Sequence, residues 1–187
     1  MATCRDVVSK AYRLAGIVAL GDDPTADEAD LGMEALQSMF DTWVSGGMFG
    51  RLTDVYKTAA YTALEGERVQ TSGSPTITIP TTYAEDGQAG TDRPPYDLAL
   101  IEVQDGSTRN RWLYDRSGWV DLVGLTLNST CPLADRGLNG FAACLAEEIA
   151  GPFGDIPARL RLSASGFRQA ISYKLGSTRP ARTAQYF

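Results

Sequence analysis

Along the first fifty residues, apolar side chains recur every three or four positions. Val7, Val8, Ala11, Leu14 and Ala15 fall on one face, which predicts a helix over about 3–16. Thr3-Cys4-Arg5-Asp6 opens it, a pattern in which hydroxyl and acid each satisfy the other's orphan backbone N–H. Gly16 can end it. The same start signal returns after Pro24 as Thr25-Ala26-Asp27-Glu28. Leu36, Met39, Phe40 and Trp43 then recur at helical spacing, with Leu31 and Val44 on the flanks of that face, before Gly46-Gly47. This predicts a second helix over about 25–46. Two helices joined by a short turn make an antiparallel hairpin. Their apolar faces meet but leave an edge that later helices or a neighbouring subunit must cover.

From about 55 to 127 the helical period disappears. "VYKTAAYTAL", "TITI" and "YDLALIEVQ" are rich in β-branched and aromatic residues, and Asp105-Gly106 separates "LALIEVQ" from "RNRWLY" as a hairpin turn would. Residues 80–95, "PTTYAEDGQAGTDRPP", carry too much Gly, Pro and Asp for regular structure, and a loop of that length is usually mobile or used. Helix returns over about 135–151, where Leu138, Phe141, Ala142, Leu145 and Ile149 form a stripe closed by Gly151-Pro152. A last helix over about 157–175 carries Leu160, Ala164, Phe167 and Ile171 on one side and Arg161, Arg168 and Lys174 on the other. Beyond Gly176 the chain reads "STRPARTAQYF", in which Pro180 blocks helix. The expected fold is mainly α (α+β): an antiparallel bundle of about four helices with an inserted small β-region. One domain spans 1–175, and 176–187 form an extended tail.

Composition agrees with one globular domain: the 187 residues are 43% hydrophobic and 21% charged. No run of about 20 apolar residues could cross a bilayer, and "MATCRDVVSKAYR" lacks the apolar stretch of a secretion signal. No membrane partner is expected, and synthesis in the cytoplasm is. Charge is uneven. Residues 1–56 hold four Lys/Arg against nine Asp/Glu, 57–131 six against ten, and 132–187 seven against four. An acidic body repels a polyanion, so sequence-reading of DNA is not expected, whereas a surface that DNA merely passes suits this sign.

The chain has no histidine, which removes Ser-His-Asp and Cys-His catalysis and H-E-x-x-H zinc sites together. No phosphate-cradling glycine loop occurs either. Cys4, Cys131 and Cys144 are widely spaced, suggesting buried free thiols rather than a zinc site or a disulfide framework. Glu147 and Glu148 form a carboxylate pair, but adjacent helical residues point about 100° apart and cannot flank one bond. The acids Asp22, Asp23, Asp27, Glu28 and Asp30 lack calcium-loop spacing and serve instead to place negative charge at a helix start. Met33, Met39 and Met48, with Phe40 and Trp43, read as core. No catalytic, metal or cofactor residue is expected, and no enzyme.

The order of these signals resembles the head-to-tail connector family (tail accessory or head completion adaptor proteins) of tailed bacteriophages and gene transfer agents. That family opens with a helix ending in L-G, an acidic T-x-x-E turn, and a second helix ending in W before small residues. Leu14-Ala15-Gly16, Thr25 to Glu28 and Trp43 to Gly47 occupy those places. The similarity continues in "TDRPPYDLALIEV" and "LNGFAACLAEEIAGPFGDIPARL". One departure is that the proline-rich strand many relatives carry between Trp112 and Pro132 is not recognisable.

The resemblance implies a structural virion protein of the neck, an adaptor ring, commonly dodecameric, that docks on the portal. Such a ring extends the DNA channel for genome packaging and ejection and receives the tail or the next connector protein. It implies a portal-docking tail with Arg179, Pro180, Arg182, Tyr186 and Phe187. Identical subunits would pack through Leu36, Met39, Phe40, Trp43, Phe167 and Ile171, and DNA would pass without sequence-specific contacts. Two rivals are a virion-associated cell-wall hydrolase using Glu147 and Glu148, and a nucleic-acid-binding regulator using Arg109, Arg111 and Arg116.

Overall fold

A computed structural model describes residues 2–51, 69–70, 83–84, 92–93, 97–105, 108–116, 118–151 and 156–178. It is mainly α with a small β-region. Four helices are described: α1 (Cys4–Ala15), α2 (Ala26–Ser45), α3 (Leu138–Ala150) and α4 (Ala158–Thr178).

Both expected start signals are present as hydrogen bonds. Thr3 N–H donates to Asp6 Oδ2 at 2.8 Å while Asp6 N–H donates to Thr3 Oγ1 at 3.2 Å. At α2, Thr25 N–H donates to Glu28 Oε2 at 2.8 Å and Glu28 N–H to Thr25 Oγ1 at 3.3 Å. The two helices end alike. Gly16 and Gly47 have φ of 75° and 72°, a left-handed conformation that costs glycine little. There the chain turns back on itself: Ile17 N–H bonds the Tyr12 carbonyl, and Met48 N–H bonds the Trp43 carbonyl. α4 runs past Gly176 to Thr178, because a helical glycine costs only about 1 kcal/mol.

The centre of the bundle is α3, which packs against α1, α4 and α2. Its sequence shows an apolar stripe, but every residue from Phe141 to Ala146 is buried, as are Ile149 and Ala150. Small Ala142, Ala143, Cys144 and Ala146 let neighbours approach from several sides, as a helix covered all round requires. α3 therefore supplies cover for the edge left by the α1–α2 pair, and α4 in turn covers α3.

The main sheet is built on a hairpin. β5 (Ala99–Asp105) and β6 (Thr108–Asp115) pair antiparallel from Leu100↔Leu113 to Asp105↔Thr108, so the expected hairpin is present, but Asp105 is the last paired residue of β5 and the register is shifted by one residue from a turn at Asp105-Gly106. β7 (Gly118–Asp121) adds a third antiparallel strand on the far side of β6, inside the expected β-region. Two short strands, β1 (Gly50–Arg51) and β2 (Val69–Gln70), run parallel to successive parts of β5. β3 (Tyr83–Ala84) and β4 (Asp92–Arg93) pair separately, so the stretch 80–95, expected to be irregular, contains an antiparallel contact. "VYKTAAYTAL" and "TITI" lie outside the described residues. Leu98, Leu100, Leu113, Leu122 and Leu125 join the helices in one core, so sheet and bundle share an interior.

Candidate functional site

Sheet and bundle meet at an ionic knot. A single turn of 3-10 helix, Ala134–Arg136, precedes α3 and carries Arg136, whose side chain is 5% exposed. Its guanidinium grips Asp97, just before β5, through both terminal nitrogens, and Asp115 at the end of β6 through Nε and Nη2. Asp115 also accepts from the Leu133 N–H at 2.7 Å, and Asp97 from the Arg116 N–H at 3.1 Å. Burial works against the arginine charge, but the hydrogen bonds to Asp97 and Asp115 outweigh it and raise its pKa. Leu98, Arg116 and Leu133 all have φ between 62° and 67°, a conformation that is strained for residues with a Cβ. The knot concentrates backbone strain and buried charge in one place. Its hydrogen bonds tie the start of β5, the end of β6 and the turn before α3 to one side chain.

The outer surface of α1 carries a groove of about 700 Å³, lined by residues that include Arg5, Asp6, Lys10, Arg13, Leu20 and Leu138. Some of its charges are already committed. Asp6 caps α1, and Arg13 bonds Asp23 at 2.6 Å and the Asp22 carbonyl at 2.9 Å, tying the acidic turn to the helix. Leu20 is 95% exposed, Leu162 74% and Leu31 60%. Leu31, expected on the flank of the buried face of α2, instead points to solvent. Around it Asp27, Asp30 and Glu34 are also exposed, giving α2 an acidic outer surface with one large apolar side chain.

The residues expected to pack between subunits lie elsewhere. Leu36, Met39, Phe40, Trp43, Phe167 and Ile171 are all buried within the single chain. The reason is Phe141 of α3, whose ring lies 5.9 Å from those of Phe40 and Trp43 and 5.6 Å from that of Phe167. The seam proposed for a neighbour is filled by the chain's own third helix, which corrects the subunit-packing assignment. Arg179, Pro180, Arg182, Tyr186 and Phe187 lie outside the described residues.

A scan against protein-family models and a search of curated proteins find no match for this chain.

The residues of the rival readings are engaged in structure. Glu147 bonds Arg168 at 2.8 Å between α3 and α4, while Glu148 is exposed, so the two acids do not converge. Arg111 pairs with Asp41 of α2, and Arg116 donates to the Asp135 carbonyl at 2.9 Å. Nothing is described of the Arg109 side chain. Among the described residues no three His, Cys, Asp or Glu cluster as metal ligands, and no helix is long and apolar enough to cross a membrane. Of the acids after Gly21, Asp23 pairs with Arg13, and Asp27 and Glu28 stand in the first turn of α2, where Glu28 completes the cap. Sequence reasoning missed Arg136, whose partners lie 21 and 39 residues away and follow no periodic pattern.

Proposed function

We propose that this chain is a structural virion protein, a head-to-tail adaptor that docks on the portal and, as a ring of identical copies, extends the DNA channel and receives the tail. It does no chemistry in this reading. One observation carries it: the signals that give the resemblance coincide with the ends of elements. Leu14-Ala15-Gly16 closes α1, Thr25 to Glu28 opens α2, and Trp43 to Gly47 closes it. "LNGFAACLAEEIA" is α3, followed by a last long helix that leads into the basic, aromatic-ended tail.

The buried seam changes how such a ring would be held. Because α3 covers the faces of α1, α2 and α4 from within, contacts between copies would fall on the outer leucines, Leu20, Leu31 and Leu162. Burying one large apolar side chain contributes roughly 1.5–3 kcal/mol, and repetition around a ring makes individually weak contacts avid. The acidic surface of α2 suits a passage that DNA slides through without being held.

The test is portal binding. Removing residues 179–187 should leave a folded chain that no longer sediments with assembled portal rings. Electron microscopy of the full chain mixed with its portal should show an added ring. Unchanged cosedimentation of the truncated chain would refute tail docking, and absence of any complex with the full chain would refute the adaptor reading.

A further inference from the structure

We infer that Cys4 and Cys131, free thiols in this structure, join as a disulfide on oxidation, a reversible staple between the N-terminal segment and the turn that leads into Arg136. Thr3 and Thr130 form an isolated antiparallel bridge. It is flanked by Cys4 N–H bonded to the Ser129 carbonyl at 2.9 Å and Cys131 N–H bonded to the Ala2 carbonyl at 3.0 Å. Side chains alternate across a paired strand, so the residues following Thr3 and Thr130 share the opposite face and meet diagonally.

Both thiols are free and buried in the same core cluster. The two thiols act on each other, the interaction lowering the pKa of Cys4 and, together with burial, raising that of Cys131. Cys144 stands apart. Its Sγ contacts the Ala164 carbonyl at 3.4 Å, and burial pushes its pKa up to about 12. It serves as an internal control.

Oxidation takes one hydrogen from each thiol, two electrons and two protons together, and joins the sulfurs. An azodicarboxamide oxidant such as diamide accepts both hydrogens and becomes the hydrazine, and a dithiol reductant reverses the change. Because the sulfurs are buried, the oxidant enters through local opening of the short N-terminal bridge, the kind of terminal contact that opens most readily. The staple closes a very long loop and so restricts the unfolded chain. A protein assembled in reducing cytoplasm and used outside the cell would gain this staple after release. That biological consequence rests on the proposed function; the disulfide does not.

The experiment uses the full chain alone, so its outcome is separate from portal binding. Native protein is treated with diamide, unfolded, labelled with a maleimide and mapped by mass spectrometry without reduction. The expected result is label on Cys144 only, a linked peptide pair containing Cys4 and Cys131, and a higher thermal midpoint that dithiothreitol resets. A Cys4→Ser chain should lose the diamide-dependent shift in midpoint. Should that variant fail to fold, the peptide map of the unaltered chain still decides. Label on all three thiols, or a link that involves Cys144 or joins two chains, would overturn the inference.

Discussion

The guanidinium of Arg136 holds the carboxylate of Asp97 through both of its terminal nitrogens, across 39 residues of sequence. Asp115 completes the group, so one cation answers two acids in a largely buried place. Removing the cation would take from both carboxylates the guanidinium that now joins them. Replacing Arg136 by Met should therefore cost about 3 kcal/mol or more, as breaking a buried ionic group from one side does. Urea unfolding checks this. A change under about 1 kcal/mol would mean that water already screens the knot.

Three glycines in helices should respond to alanine with different signs. A Cβ at Gly32 of α2 would stand 2.5 Å from Val8 Cγ1 and 2.9 Å from Tyr12 Cε2 on α1. At Gly140 of α3 it would stand 2.8 Å from Phe167 Cβ on α4. Both substitutions overpack a helix crossing and should destabilise by about 1–3 kcal/mol. Gly166 has open space around it, so Gly166→Ala should stabilise by about 0.5–1 kcal/mol through helix propensity alone. Thermal melts of the three variants check both the signs and their order.

The helix caps should make stability depend on acid. Hydrogen bonds from the Thr3 backbone and then its side chain hold the Asp6 carboxyl below its ordinary pKa, and Thr25 does the same for Glu28. A carboxylate with a lowered folded pKa stabilises the fold above its unfolded value, and that contribution is lost as pH falls through the folded value. Thr3→Ala should cost about 1 kcal/mol at neutral pH, with Thr25→Ala acting in the same direction. In melts from neutral pH downward, the gap between the unaltered chain and the Thr3→Ala, Thr25→Ala double variant should narrow below about pH 4. A gap that stays constant with pH would show that the bonds between the threonine hydroxyls and the carboxylates take no part.

What the sequence made legible was local. Capping residues three apart and stop glycines act within one turn, so the ends of α1 and α2 could be read from a few neighbouring letters. The β5–β6 hairpin was legible for the same reason, since Asp105-Gly106 sits between two runs of strand-forming residues. Periodicity also placed Leu160, Ala164, Phe167 and Ile171 on the buried side of α4. What could not be read depends on residues distant in sequence. A stripe of large residues on α3 looks the same whether its alanine side faces water or another helix, so the burial of Ala143 and Ala146 carried no signal. That omission led directly to the misplaced subunit seam. The Arg136 knot, the meeting of Cys4 with Cys131 and the parallel pairing of β1 and β2 with β5 are likewise products of tertiary contact.

The exposed leucines separate folding from assembly. Leu31 on α2 and Leu162 on α4 are 60% and 74% exposed, so replacing both with Ser removes little buried apolar area within the chain. Surface changes of this kind shift stability by no more than about 0.5 kcal/mol each. If the outer faces carry the contacts between copies, the same changes should lower the occupancy of adaptor rings on portal particles several-fold, because every subunit interface loses its apolar anchors at once. The double variant should melt with the unaltered chain and fail in the portal mixture. A variant that melts normally and still completes its rings would move the contact surface away from these two helices, leaving Leu20 and the groove beside α1 as the faces to test.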